Sequence, residues 1–390
     1  MKAVRFISER IRFKGYLALI CVAVSYLVMI VAVSVSSGFR NEIRQSLSNV
    51  MGDVRLVPLN EDLTSGSASV PAGPAFLPKV KELDCVGSVR PVVSRAGIIR
   101  QDEIVHGALF KGVPDMSFPD SVAFPLSVPS RLASILNIGQ GDRIPAYFVG
   151  DKVVVRKFTV CDVYDEVLSS DNQLICLTSL PVMQRVNSWD STKVSSFELF
   201  LKKEWQDEER IAEAGMQVAS IMAAFSSEDE PTLFAQTLQQ TFPVIFSWFY
   251  FLDLNVLVLL VLMTIVAGFN VISGLLILLF ENISTIGLLK SMGMKDRGIA
   301  AVFLRSAGIL SLKGLLLGNV LAVFFCIIED RTHWLKLDPA NYFLSYVPVD
   351  LDWGWILTAD AVSFAVIMLL LLLPSIFISK VDPAATMRVE

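Results

Sequence analysis

Charge vanishes from this chain for 25 residues between Gly15 and Phe39, and again for 27 residues between Leu254 and Phe280. A helix crossing hydrocarbon needs about 20 apolar residues at roughly 1.5 Å each, so both runs predict membrane spans. Two further runs predict a third and a fourth. Ile299–Ile328 is interrupted by Arg305 and Lys313, and Trp353–Ser379 carries Asp360 near its start. The apolar stretch Tyr16–Val35 exceeds the about 7–15 residues of a secretory leader's core, which argues for a retained anchor.

Residues 40–250 change rhythm. Val86–Ile99, Val153–Tyr164, Gln173–Leu177 and Val194–Leu201 are short Val-, Ile- and Phe-rich segments of strand type. Pro129–Ile138 reads as a helix capped by Ser127 or Ser130 and ended by Gly139. Gln206–Phe225 reads as a second, with Ile211, Val218, Ile221 and Met222 on one side. Residues 60–78 are rich in Ser, Gly, Pro and Ala and read as a loop. The prolines at 114, 119, 125 and 129 suggest a break between two lobes near 115–128.

Composition agrees with a membrane protein: 53% apolar, 18% charged, against about 25% charged in soluble domains. Disorder, a charge-driven nucleic-acid binder and an ordinary cytosolic enzyme are excluded. Orientation follows basic residues near span ends. Residues 1–14 hold five basic groups and one acid, residues 281–305 four and two, residues 329–352 two and five. The N-terminus, the 281–298 loop and the C-terminus are therefore expected in the cytoplasm.

The predicted fold is an α-helical membrane protein with four transmembrane helices and a large extracytoplasmic α/β (α+β) domain between the first two. Its parts are a cytoplasmic interfacial helix (1–14), span one (15–39), the two-lobed domain (40–250) and span two (254–280). A cytoplasmic loop with a short helix (281–298), span three (299–328), an outer loop (329–352), span four (353–379) and a cytoplasmic tail (380–390) follow.

Candidate chemistry is sparse. There is no G-x-x-x-x-G-K-[ST], no H-E-x-x-H, no C-x-x-C and no G-x-S-x-G, and the two histidines, His106 and His333, are far apart. No catalytic or metal site is predicted. Cys85, Cys161 and Cys176 are either free thiols or include a Cys161–Cys176 bridge. Gly268, Ser273, Gly274, Gly308, Gly314 and Gly318 suit close helix packing. Lys313 and Asp360 differ in depth by about 8 Å across a core of roughly 30 Å, so a pair is conceivable but not favoured.

Glu281–Arg305 is the most informative stretch: Ile286, Leu289 and Met292 recur every third residue, Gly293 can terminate, and Lys295-Asp296-Arg297 follow. A short amphipathic helix at the cytoplasmic face results, too short to be stable without burying its stripe against a partner, lipid or its own bundle.

Phe269-Asn270-Val271-Ile272-Ser273, Glu281-Asn282, Ile286–Met294 and Phe303-Leu304 resemble the "FNIIS", "ER", "IGILKALGA" and "IF" elements of the FtsX-like ABC-transporter permease family. Pro374-Ser375 with Val381–Arg388 is similar to its C-terminal pattern, and Tyr342–Val349 to the lipoprotein-releasing (Lol) permeases within it. Tyr164–Gln173 departs from some Lol relatives in showing no recognisable carrier-binding hook.

The resemblance implies a non-enzymatic inner-membrane permease with a periplasmic main domain. ATP and Mg would be bound by a separate ABC ATPase subunit, with no cofactor of the chain's own. It implies coupling to that subunit through Glu281, Ile286, Gly287, Leu289, Lys290, Met292, Gly293, Lys295 and Arg297, with Ile286, Leu289 and Met292 as apolar anchors. Further implied partners are a second permease copy or paralogue, a periplasmic lipoprotein carrier and membrane lipids, with no nucleic acid. Lipoprotein release is the implied function, with efflux or control of a cell-wall hydrolase as the alternative. Ser34, Ser37, Phe39, Asn255 and Asn270 are candidates to line a substrate cavity, with ordinary packing as the competing reading.

Overall fold

The apolar runs become four long helices in the computed structural model, which describes residues 16–59, 69–101, 103–116, 118–119, 122–150, 152–164, 174–227, 230–338 and 344–375. The expected interfacial helix at 1–14, the tail at 380–390 and most of Tyr164–Gln173 lie outside the described residues. In chain order the elements are α1 (Tyr16–Met51), β1 (Val54–Pro58), β2 (Val70–Pro71), α2 (Leu77–Lys81), β3 (Val86–Gln101), β4 (Ile104–Val113), β5 (Pro125–Pro129) and α3 (Ser130–Leu136). Then come β6 (Arg143–Phe148), β7 (Val154–Tyr164), β8 (Ile175–Ser179), α4 (Leu180–Val186), β9 (Lys193–Val194), β10 (Ser196–Leu201), α5 (Glu208–Phe225), β11 (Leu233–Thr237) and α6 (Leu238–Thr241). The chain closes with α7 (Pro243–Glu281), α8 (Ile283–Ser291), α9 (Asp296–Thr332), α10 (Trp353–Leu370) and α11 (Leu372–Ser375).

Helices α1, α7, α9 and α10 are each long and apolar enough to cross a membrane. Helix α7 begins eleven residues before the charge-free run that announced it, because Asp253 does not interrupt helical geometry. The chain divides into two units. One comprises Met1–Asn41, Trp248–Lys336 and Tyr346–Glu390; the other Glu42–Ser247 and Leu337–Ser345.

In the helical unit, α1, α7, α9 and α10 share a core that includes Tyr26, Val271, Leu275, Phe303 and Ile367. The α1–α9 contact depends on missing side chains. A Cβ on Gly314 would stand 2.6 Å from Val22 Cγ1, and one on Gly318 2.6 Å from the Ala23 carbonyl oxygen. Small residues let helix backbones approach where lipid offers no hydrophobic drive to associate. Thr264 and Ser363, 3.0 Å apart, add a buried hydroxyl bond between α7 and α10.

The other unit is mixed α/β. Its nine-stranded sheet runs β11-β1-β10-β3-β4-β8-β5-β7-β6, and β6 also returns to β3. The first part of β3 pairs with β10, as at Val92↔Ser196. The second part pairs with β4, from Val93↔Gly112 to Gln101↔Ile104, and with β6 at Ile98↔Tyr147. Six strands thus close on themselves, and an open four-stranded sheet continues from the shared strand β3. This corrects the expected lobe break at 115–128: β5 lies inside the closed part, paired with β7 and β8. Prolines at both ends of β5 bound a buried strand rather than a linker.

The closed part is filled by aromatic rings, with Phe110 4.9 Å from Phe148 and 5.2 Å from Phe158. Gly97 makes room for them, since a Cβ there would come within 2.9 Å of both Phe110 and Phe148. Helix α3 is capped by Pro129 and Asn137 rather than by the expected Ser127 or Ser130 and Gly139. Asn137 takes the left-handed cap conformation (φ 50°) that its short polar side chain tolerates. No disulfide joins Cys161 to Cys176, so the expected bridge is absent.

One buried charge cluster ties the end of α1 to the sheet. Lys111 and Glu198 form an ion pair in which both side chains are 1% exposed. Arg90 joins with Nη2 2.8 Å and Nε 3.1 Å from Glu198 Oε2. The same cations reach the last carbonyls of α1: Lys111 donates to Val50 O and Arg90 to Asn49 O at 3.3 Å. Helix C-terminal carbonyls lack intrahelical partners and carry partial negative charge, so two cations suit them. Burial pushes the Lys111 ammonium down to about 8, against the pull of Glu198. Glu198→Gln leaves both cations without their counter-charge, and the expected loss is about 3–5 kcal/mol in chemical denaturation. Replacing Glu198, Lys111 and Arg90 together by apolar residues of similar volume should recover most of that loss.

Candidate functional site

Helix α8 forms an elbow between two long helices. Asn282 leaves helical geometry (φ −113°, ψ 23°) and its Nδ2 donates to Leu278 O at 2.9 Å, which ends α7. Eleven residues later Gly293, with φ +85°, turns the chain into α9. A positive φ just past a helix end favours glycine. Lys290 Nζ lies 3.1 Å from Asp296 Oδ1 and links the end of α8 to the start of α9.

The faces of α8 differ from the sequence expectation. Ile286 is 1% exposed and Gly287 is also buried, while Leu289 is half-buried against the bundle core. Ile286 is therefore an anchor to its own bundle, not a surface residue. The reason is helical geometry: at 3.6 residues per turn, positions three apart slip by about 60° each step, so Ile286 and Met292 stand about 120° apart. The most exposed apolar side chains are Leu288 (56%) and Met292 (75%), four residues apart, with Ile283 less exposed at the start of the helix. Sequence reading found Met292 and missed Leu288; a four-residue rather than three-residue spacing would have found both. Glu281, Lys295 and Arg297 are exposed around this pair, as is Gly293, whereas Lys290 is half-buried in its ion pair.

A second feature is a cavity of about 320 Å³ within the helical unit. Val33, Ser36, Ser37 and Arg40 of α1, Asp253 and Leu257 of α7, and Trp355 of α10 are among its lining residues. Its polar end is a small network. Arg40 Nη1 donates to Asp253 Oδ2 at 3.1 Å, and Ser36 Oγ to Asp253 Oδ1 at 3.3 Å. The pair is partly exposed, so its stabilising contribution is about 0–1 kcal/mol, and its charges remain available to a ligand. Apolar walls with one charged end suit an amphipathic molecule.

Of the expected cavity residues, only Ser37 lines it. Ser34 is buried and its carbonyl accepts from Asp350 N at 3.0 Å. Phe39 packs edge-on against Trp248, with centroids 6.2 Å apart. Asn255 is exposed and Asn270 half-buried elsewhere on α7. No group of His, Cys, Asp and Glu among the described residues is arranged to hold a metal ion.

Residues 257–383 match the family model described as FtsX-like permease C-terminal. This region is an FtsX-like permease domain. It includes the elbow, α9 and α10. Along nearly its whole length, 98% of this chain and 96% of the relative, the chain is also 22% identical to the lipoprotein-releasing system transmembrane protein LolC of Neisseria meningitidis serogroup B (strain ATCC BAA-335 / MC58). Among solved structures, the extracellular domain of the ABC-type transporter YknZ from Gram-positive bacteria aligns at 13% identity and TM-score 0.31, over 47% of this chain and 98% of that one. The periplasmic region of MacB from Actinobacillus actinomycetemcomitans aligns at 11% and 0.30, over 51% and 95%. Likeness at these scores carries no weight for the fold or the site.

The two faces of the elbow should respond differently to charge. Leu288→Asp and Met292→Asp should leave the protein within about 0.5 kcal/mol of wild type. Ile286→Asp places a carboxylate in the bundle core and should lower stability by about 4 kcal/mol or more. Thermal unfolding of the three variants in detergent checks this.

Proposed function

We propose that this chain is the permease subunit of an ABC transporter that releases lipoproteins from the inner membrane. The observation that supports it most is end-to-end likeness, 98% of one chain and 96% of the other, to a protein named for a lipoprotein-releasing system. In this reading α1, α7, α9 and α10 span the membrane, and the mixed α/β unit lies outside the cytoplasm. The basic bias around 281–305 and the acidic bias of 329–352 favour that orientation.

The elbow then faces the cytoplasm. A separate ATP-hydrolysing subunit docks on Leu288 and Met292, with Glu281, Lys295 and Arg297 as rim charges that set register and on-rate more than affinity. Ile286 and Leu289 transmit the push, because they fix α8 to the same core as α7 and α9. A packed core is displaced as a body rather than deformed. The cavity receives part of the cargo's acyl region, its apolar walls against hydrocarbon and the Arg40–Asp253 end towards the polar linkage. A second permease copy or paralogue completes the assembly, and a periplasmic carrier accepts the released lipoprotein.

Purification of the chain in mild detergent should bring a small ATPase with it, and Met292→Asp should abolish that co-purification while membrane insertion persists. ATP hydrolysis by the complex should rise with a diacylated or triacylated lipoprotein and not with its unacylated form. Ser37→Trp fills the cavity and should remove most of the rise while the ATPase stays bound. A rise caused instead by a cell-wall hydrolase or a small efflux substrate would replace the cargo assigned here.

A further inference from the structure

Asp360 lies midway along α10, 6% exposed, among apolar helix faces. Its Oδ2 accepts from Asn319 Nδ2 of α9 at 2.6 Å. Its Oδ1 is buried and has no hydrogen-bond partner, and the same is true of Asn319 Oδ1. An ionised carboxylate away from water costs several kcal/mol unless paired and fully hydrogen-bonded. Neither condition is met. Lys313, the one cation near this depth in the sequence, is on an exposed face of α9, and Asp360 has no cation partner among the described residues. The groups around the carboxyl are neutral: Tyr26 from α1, whose hydroxyl lies beside Ser311 of α9, and Asn319 itself. From α7, Thr264 is bonded to Ser363 one turn along α10.

Two buried oxygens lack a partner, one on the acid and one on the amide that donates to the acid's other oxygen, and a single hydrogen shared between them would serve both. A protonated carboxyl has one O–H donor and keeps an acceptor, and a carboxamide offers both complements. We propose that Asp360 and Asn319 form a proton-binding site inside the helix bundle. Asp360 Oδ1 carries a proton taken up from water and donates it to Asn319 Oδ1, while Asn319 Nδ2 donates to Asp360 Oδ2. One bound proton satisfies both orphaned atoms and clips α9 to α10 by two hydrogen bonds. The site stands independently of the cargo and of the direction of transport.

The full-length chain in detergent at neutral pH tests this by infrared difference spectroscopy. Wild type minus Asp360→Asn should show the carbonyl stretch of a protonated carboxylic acid. Asn319→Leu should keep that band and move it to higher frequency, as the hydrogen bonds are lost. Asp360→Asn should unfold at the wild-type temperature, because an amide–amide pair makes the same two bonds, whereas Asp360→Leu should unfold lower. Ionised carboxylate bands in the difference spectrum would overturn the proposal. So would an Asp360→Asn variant that loses as much stability as Asp360→Leu, since the charge itself would then be what the bundle needs.

Discussion

Helices α1 and α9 lie backbone to backbone because Gly314 and Gly318 present nothing where Val22 and Ala23 must sit. Much of the helical unit depends on that approach. It places Tyr26 in the core shared by α1, α7, α9 and α10, together with Ile286 and Leu289 of the elbow. A nine-residue helix does not persist in water alone. Helix α8 therefore exists because that core accepts one of its faces, and its other face is available because the core takes only one.

The mixed α/β unit solves a different problem. Exposed sheet edges invite unwanted pairing, and here six strands close through the return of β6 to the long strand β3. The same strand carries Arg90, which meets Glu198 of β10 and the end of α1. A buried ion cluster is a costly way to stabilise a fold, since apolar residues of equal volume often do as well. Its distinctive property is direction: Lys111 and Arg90 find the helix-end carbonyls of Asn49 and Val50 as well as Glu198, which fixes where the helix ends on the sheet.

The sequence made some of this legible and hid the rest for physical reasons. The long helices announce themselves because hydrocarbon tolerates few charges, and the segments around Val86–Ile99 and Val153–Tyr164 because β-branched residues crowd into strands. The glycines of α9 were readable as packing positions. The closure of the sheet was not, because Ile98↔Tyr147 is a pairing between segments that local pattern cannot relate. The Arg40–Asp253 pair was hidden likewise: 213 positions separate two charges that each look like the polar end of an apolar run. The error on Ile286 was one of phase. A three-residue recurrence resembles a stripe on paper but winds around an α-helix, so the buried and exposed residues of α8 were merged into one face. Asp360 found its partner in a neutral amide because Lys313 lies on another face of α9.

The elbow joins the helical core to the surface. Its inner face belongs to the bundle, and its outer face offers Leu288 and Met292 amid charges, the pattern of a small docking site for a soluble partner. The most direct measurement places a single cysteine at Met292, with the native cysteines replaced, in membrane vesicles of known orientation. The account predicts labelling by an impermeant thiol reagent from the cytoplasmic side alone, and protection when the ATPase subunit is bound. Labelling from the opposite side, or labelling indifferent to that subunit while ATP is being hydrolysed, would contradict it.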